Sequence, residues 1–271
     1  MTGLRAIFLR ELRAAFFTAS GWTVLAIGTL LSGLVFILLS LIPGGPASVQ
    51  PVLKISAWIL LLVVPALSMR SFSDERRQGT WEILQAAPMT PMTVVLGKFM
   101  VLLCQLLLLG LPIVVFGGVL ELYGRPDWGE IGCGLLGLFL GGALWLALGM
   151  LASTLTESQL VAYLLALFTS LLVVLGSRLL PGLVGSGQAD VFFALDPTRR
   201  IEDFAIGLFD TSNLVYFLVT TSGLLWLTRL MADWRPGLRP RGRGIFAGLL
   251  EWCGLILAVA GVIAIFDLPS M

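Results

Sequence analysis

The side chains best placed to do chemistry lie together in residues 69–88, where Asp74, Glu75, Arg76 and Arg77 are consecutive and Gly79, Thr80 and Glu82 follow. Adjacent acids and bases of this kind suit ionic docking against a complementary surface, not bond making. The rest of the inventory points away from catalysis. The chain has no histidine, which removes the commonest metal ligand and the base of any Ser/His or Cys/His pair. Its cysteines, Cys104, Cys133 and Cys253, stand in apolar runs without CxxC spacing. They read as small hydrophobes and give no metal or disulfide framework. Gly97-Lys98 lacks the upstream glycine of a phosphate-binding loop, so no catalytic residue is predicted and ATP hydrolysis has no home in this chain. An intramembrane enzyme would gather ionisable groups at membrane depth, whereas Gln105, Arg178 and Glu251 are scattered and near span ends. A secondary transporter or channel would carry charged or broken-helix sites at the midplane, and the pattern gives no sign of them.

The elements that must position the charged segment are membrane helices. Hydrophobic residues make up 58% of the chain and charged ones only 12%, with a mean hydropathy of +0.98. A soluble chain carries about 25% charged residues to cover its wet surface, so most of this surface must face lipid. A spanning helix takes about 20 apolar residues, and such runs fall at residues 22–42, 52–69, 94–120, 131–155, 160–180, 214–231 and 246–266. Pro43-Gly44-Gly45-Pro46 is a turn signal between the first two. The first run is too long for a cleaved leader and reads as retained.

Lysine and arginine favour the cytoplasmic side. With the N-terminus inside, that side receives Arg5, Arg10, Arg13, Arg70, Arg76, Arg77, Lys98, Arg229 and the basic stretch holding Arg235, Arg239, Arg241 and Arg243. The other side receives Lys54, Arg125, Arg178, Arg199 and Arg200 among most of the acids. The expected protein is all-α and multi-pass in the cell (inner) membrane, with the N-terminus cytoplasmic and the C-terminus outside. Residues 1–20 would form an N-terminal interfacial helix, 21–232 a six-span domain, and 233–271 a basic cytoplasmic linker with a seventh span that carries Glu251 near its start.

Local signals refine the picture. Leu4, Phe8, Leu12, Ala15 and Phe16 share a stripe at helical spacing with Arg10 and Arg13 opposite, which suits a helix lying in the interface. In the charged segment, Gly79 breaks the chain, Thr80 can cap a new helix, Glu82 suits its positive end and Pro88 stops it. The prediction is a short, rigid, charged helix between spans two and three, at about 71–88, able to transmit force or dock a soluble partner. The plain alternative is a solvated loop that satisfies the charge rule. On the outer side, Ile201, Phe204, Ala205, Leu208 and Phe209 recur at amphipathic spacing and predict a helix at about 199–210, either a gate or a passive interfacial anchor. Span four holds Gly132, Gly134, Gly137, Gly141, Gly142 and Gly149. Small residues let helices approach closely in lipid, and packing within one subunit is the preferred account.

The run Met69-Arg70-Ser71-Phe72, Glu75-Arg76-Arg77-Gln78-Gly79-Thr80-Trp81-Glu82-Ile83-Leu84, Ala87-Pro88 and then Leu96-Gly97-Lys98-Phe99 resembles the permease subunits of ABC-2 type transporters, most closely the gliding-motility branch. Asp203-Phe204-Ala205-Ile206-Gly207-Leu208-Phe209-Asp210 resembles the family's outer segment, with Ile206 where an arginine is usual. The likeness covers about residues 4–231. It implies a type V exporter-like, six-span permease core plus one extra span. It also implies a homodimer with a second permease copy and a separate ABC ATPase subunit that carries ATP and Mg. The segment between spans two and three would then be a coupling helix. Asp74, Glu75, Arg76, Arg77, Gly79, Thr80 and Glu82 would contact the ATPase, while Ile201, Phe204, Leu208 and Phe209 would be the outer gate candidates. The function implied is ATP-coupled export or force transmission. The contrasting reading is a secondary transporter or channel, or a membrane scaffold that recruits soluble partners without ATP coupling. An accessory membrane subunit could use the seventh span, and nothing points to nucleic acid.

Overall fold

Helices long and apolar enough to cross a membrane number six among the described residues, which in this computed structural model are 2–41, 48–81, 90–179 and 195–232. The 43–46 turn, Glu82, Pro88, the basic linker and the seventh span all lie outside the described residues. In chain order the helices are α1 (Thr2–Phe17), α2 (Ala19–Leu39), α3 (Gln50–Ser68), α4 (Arg70–Arg77), α5 (Pro91–Glu121), α6 (Trp128–Thr154), α7 (Gln159–Leu179), α8 (Pro197–Ala205) and α9 (Thr211–Ala232). The fold is all-α, as composition and periodicity predict.

Proline and short polar side chains set several boundaries. Thr90 is extended and Pro91 opens α5, using the position where a missing N–H costs nothing. Asp127 caps α6 by accepting from the Gly129 and Glu130 amides. Asp196 caps α8 in the same manner, with Pro197 at the first turn. The second span runs on past α3. Residues Gln50–Arg77 form one long candidate span, because α4 follows α3 after a single turn residue, Met69.

The centre of the bundle is α6, which packs on α3, α5, α7, α8 and α9. Residues 141–150 of this helix are all buried, with Trp145 only 1% exposed. A helix buried on every side needs small residues where neighbours cross it. A Cβ at Gly134 would fall 2.5 Å from Leu53, one at Gly142 2.6 Å from Leu106, and one at Gly149 1.9 Å from Ser68. The glycines of span four therefore seat neighbours within this chain. By contrast, α2 and α7 sit at the periphery, with large exposed side chains such as Leu30 and Phe168.

Candidate functional site

The charged segment begins as a continuation of the second span. In α4, Phe72 is the anchor, buried to 1% exposure. Its amide donates to Ser153 Oγ of α6 at 3.0 Å, and its ring meets Trp81 edge-on at 5.4 Å. Lys98 Nζ of α5 lies 5.3 Å from the same ring centroid. The next turn of α4 is held by ion pairs. Glu75 Oε1 accepts from Arg10 Nη2 of α1 at 2.9 Å and lies 3.0 Å from Lys98 Nζ. Glu11 completes the ring, with Oε1 2.6 Å from Arg10 and Oε2 3.4 Å from Lys98. Asp74 accepts from the Gln159 side chain at the start of α7.

Lys98 is the unusual member, because a lysine 4% exposed needs its charge matched. Two carboxylates, one from α1 and one from α4, do that. The pairing also sets the acid. Burial alone would raise the Glu11 carboxyl, but Lys98 and Arg10 together hold it below its ordinary value. Arg10 is pushed the other way, above its ordinary value, chiefly by its hydrogen bond to Glu11 acting against burial.

The helix then ends in a tight turn. Gly79 has φ +68°, the left-handed region that favours glycine, and its amide bonds the Arg76 carbonyl at 3.2 Å. Thr80 Oγ1 donates to the Glu75 carbonyl at 3.3 Å, so this hydroxyl helps close α4. The chain is helical again at Thr80 and Trp81. The predicted docking residues thus divide. Asp74 and Glu75 face inward to partners on α1, α5 and α7, and Arg76 is half-buried. Arg77, Gln78, Gly79 and Thr80 form an exposed corner. The cluster of charges therefore belongs to the end of the span-two rod, before the break at Gly79, and most of the new helix expected from Thr80 to Pro88 lies outside the described residues. Sequence reasoning missed Arg10, Glu11, Gln159 and the structural part of Lys98. Only the Gly97-Lys98 pair after the charged run, part of the family resemblance, hinted at the last.

At the opposite end the predicted amphipathic helix is shorter and deeper than expected. It ends at Ala205, because Gly207 takes φ +81°, so Leu208 and Phe209 lie beyond the helix and are exposed. Ile201, Phe204 and Ala205 have no exposed surface. A Cβ at Gly137 would fall 2.4 Å from Phe204 Cβ, and one at Gly141 2.2 Å from Ile201 Cδ1. Gly141 lies 13 residues past Trp128, about 20 Å along α6. This helix is therefore inserted among the spans and does not lie over them as a surface anchor.

Insertion also gathers charge. Arg178 of α7 donates from Nε to Asp196 Oδ2 at 2.8 Å, and reaches Thr198 Oγ1 at 3.0 Å and Glu202 at 3.3 Å. Its guanidinium stacks 5.0 Å from the Trp58 ring, on α3. Arg200 bonds the Asn213 side chain and lies 4.5 Å over the Tyr216 ring, while Asn213 Nδ2 donates to Asp203 at 3.3 Å. Arg178 is therefore not a scattered charge, as the sequence reading has it, but one member of an ordered polar cluster. Spacing could not reveal it, because Arg178 and Asp196 lie on either side of a long connection. Arg178, Asp196, Arg200, Glu202 and Asp203 each have a hydrogen-bonding or ionic partner, which is the arrangement of a brace.

No group of three or more metal-ligating side chains is assembled among the described residues. Compared with known families, residues 48–185 match a family model described as ABC-2 family transporter protein. No curated protein matches the chain.

Proposed function

This chain belongs to the ABC-2 transporter family and is a membrane-spanning, permease-type component; from that premise we propose that it couples ATP hydrolysis by a separate ATPase subunit to export or force transmission across the membrane. The observation that carries the proposal is the Arg10–Glu11–Glu75–Lys98 ring. It ties the exposed corner after α4 to three helices at once, so a push delivered at Arg77–Thr80 would pass into α1, α3 and α5 together. A solvated loop has no need of such a mount.

In this reading the N-terminus is cytoplasmic, since that end holds most of the arginines. The ATPase, with its ATP and Mg, docks on the corner through Arg77, Gly79 and Thr80, with Arg76 and Glu82 as further contacts. Asp74 and Glu75 act mainly by bracing the corner from behind. A second copy of the chain completes the transporter, its interface drawn from the apolar faces of peripheral helices such as α2 and α7. Ile201 and Phe204 would control an outer passage by holding α8 in place, and Leu208 and Phe209 would line its exposed lip. The charged segment favours the gliding-motility branch, and the span beyond residue 232 would serve an accessory membrane subunit.

Co-purification in mild detergent tests the core of this. An ATPase should be recovered with the chain, and replacing residues 77–80 with Gly/Ser should abolish both recovery and stimulated hydrolysis while leaving the membrane domain folded. Recovery and stimulation unaffected by that replacement would defeat the proposal.

A further inference from the structure

A pocket of about 200 Å³ opens between α2, α3, α5 and α6, in the end of the bundle that holds α8. Its walls are almost wholly apolar, with Leu106, Leu109, Leu138 and Phe139 among them. Its mouth is on α5, where the lining residues Leu107, Leu111 and Val114 are 57%, 55% and 42% exposed. It therefore faces the bilayer sideways. For comparison, an apolar cavity of about 150 Å³ takes up benzene.

Depth says what kind of molecule could fill it. Ser56 lies six residues past Gln50, Ser32 seven before Leu39, Ile113 eight before Glu121 and Leu138 ten past Trp128. At about 1.5 Å per residue these positions are roughly 9–15 Å in from one end of their helices. The hydrocarbon core is about 30 Å thick, with the headgroup layers outside it, so the pocket sits at the level of the acyl chains of a single leaflet. The shallowest of the four, Ser56, is near the ester boundary.

Ser56 also carries the one polar demand of the site. It is 5% exposed, and its Oγ has no hydrogen-bond partner among the described residues. Ser32, the other hydroxyl in the wall, already donates to the Thr29 carbonyl at 3.0 Å. A buried hydroxyl left without a partner carries an uncompensated desolvation cost, and a turn about χ1 toward the pocket would bring it to an acceptor entering from the lipid and remove that cost. A phospholipid brings both requirements, an aliphatic chain and an ester carbonyl at its top. We propose that this pocket binds one acyl chain of a phospholipid, with its ester carbonyl accepting a hydrogen bond from Ser56 Oγ.

The test uses the full chain in nanodiscs containing a phosphatidylcholine with a diazirine midway along one acyl chain, with cross-links mapped by peptide mass spectrometry. Labelling of residues 106–114 should exceed that of residues 164–172, the lipid-facing stretch of α7, by about fivefold. Ser56→Leu should fill the pocket and bring the ratio to about one. Ser56→Ala, which keeps the space and removes the donor, should lower it about twofold. Gly110→Ala guards against misfolding of the leucine variant. The added Cβ sits at an ordinary 3.5 Å from Leu135 and narrows the wall, so it should also lower the ratio. Equal labelling of the two stretches in the unmodified protein, or an unchanged ratio in folded Ser56→Leu or Gly110→Ala protein, overturns the proposal. None of these readouts involves the ATPase, so the outcome is independent of the coupling proposal.

Discussion

Lys98 Nζ lies 3.0 Å from Glu75 Oε1, joining α5 to α4 through a lysine that is almost wholly buried. The pair fixes the exposed corner at Arg77–Thr80 to the third span as well as to the second. The proposed coupling requires that a displacement at this corner reach the spans without being absorbed in a soft joint. Packed side chains and ion pairs between rigid helices provide that continuity.

Lys98→Met should be strongly destabilising, because it leaves Glu11 and Glu75 facing one another without their shared cation. Breaking a buried pair costs roughly 3–5 kcal/mol. Both carboxylates keep some solvent, so the expected loss is near the lower figure, about 3 kcal/mol. Glu75→Gln should cost less, since Glu11 still answers Lys98. The double variant Glu75→Gln/Lys98→Met should cost less than the sum of the two. Chemical unfolding in detergent, followed by tryptophan fluorescence, gives all three values. Additive losses would show that the two side chains do not act as a pair.

Acid should loosen this end before neutral or mildly alkaline conditions do. The folded pKa of Glu11 is depressed below its ordinary 4.5, so its contribution is fully present above that value and is lost as pH falls through the folded one. With no histidine in the chain, no side chain with an ordinary pKa near neutrality titrates alongside it. Melting temperature should therefore stay level from about pH 8 to about pH 5 and fall below about pH 4. In Glu11→Gln protein it should start lower and show a shallower acid limb. An identical acid limb in that variant would remove Glu11 from the account.

Gly79→Ala separates fold from coupling. Among the described residues no atom lies within 4 Å of the Cβ it would add, so their packing is untouched and the cost comes from φ +68°. The left-handed region costs a non-glycine residue about 1–2 kcal/mol, enough to shift the corner while the spans stay assembled. The expected result is an unchanged elution profile and melting temperature within a few degrees, with several-fold weaker stimulation of the partner ATPase. Full stimulation would show that the turn at Gly79 is not needed for docking.

The parts of this structure legible in the sequence were those written in short-range periodicity. Apolar runs gave the six described spans, Thr90-Pro91 gave the start of α5, and the stripe through Ile201, Phe204 and Ala205 correctly marked a buried helix face. Contacts between distant segments left no such trace. Lys98 is one positive charge in a charge count until α1 and α4 converge on it. Arg178 and Asp196 belong to different elements and meet only because α8 inserts. The same stripe predicted helix through Phe209, but Gly207 overrode periodicity by adopting a conformation that ends the helix. Amphipathic spacing records which face is apolar, and it does not distinguish lipid from a neighbouring helix as the thing that face meets.

The insertion of α8 gives the sharpest packing prediction, because two glycines one helical turn apart on α6 should respond differently. An alanine Cβ at Gly137 would fall 2.4 Å from Phe204 Cβ, an atom fixed to the α8 backbone, so the two helices themselves must separate. At Gly141 the nearest atom is Ile201 Cδ1, the far end of a side chain, at 2.2 Å. Overpacking of a tight core typically costs about 1–3 kcal/mol, and Gly137→Ala should fall at the top of that range with Gly141→Ala below it. Ile201→Val deletes Cδ1 and leaves Cγ1 at 2.8 Å, so Gly141→Ala/Ile201→Val should recover part of the loss, whereas the same valine should do nothing for Gly137→Ala. Gly132→Ala, whose new Cβ meets nothing within 4 Å, is the control and should be neutral or slightly stabilising in a helix. Thermal unfolding of the five variants in one detergent decides it. Equal losses at Gly137 and Gly141, with no recovery by valine, would mean that α8 does not pack into α6 through these two contacts.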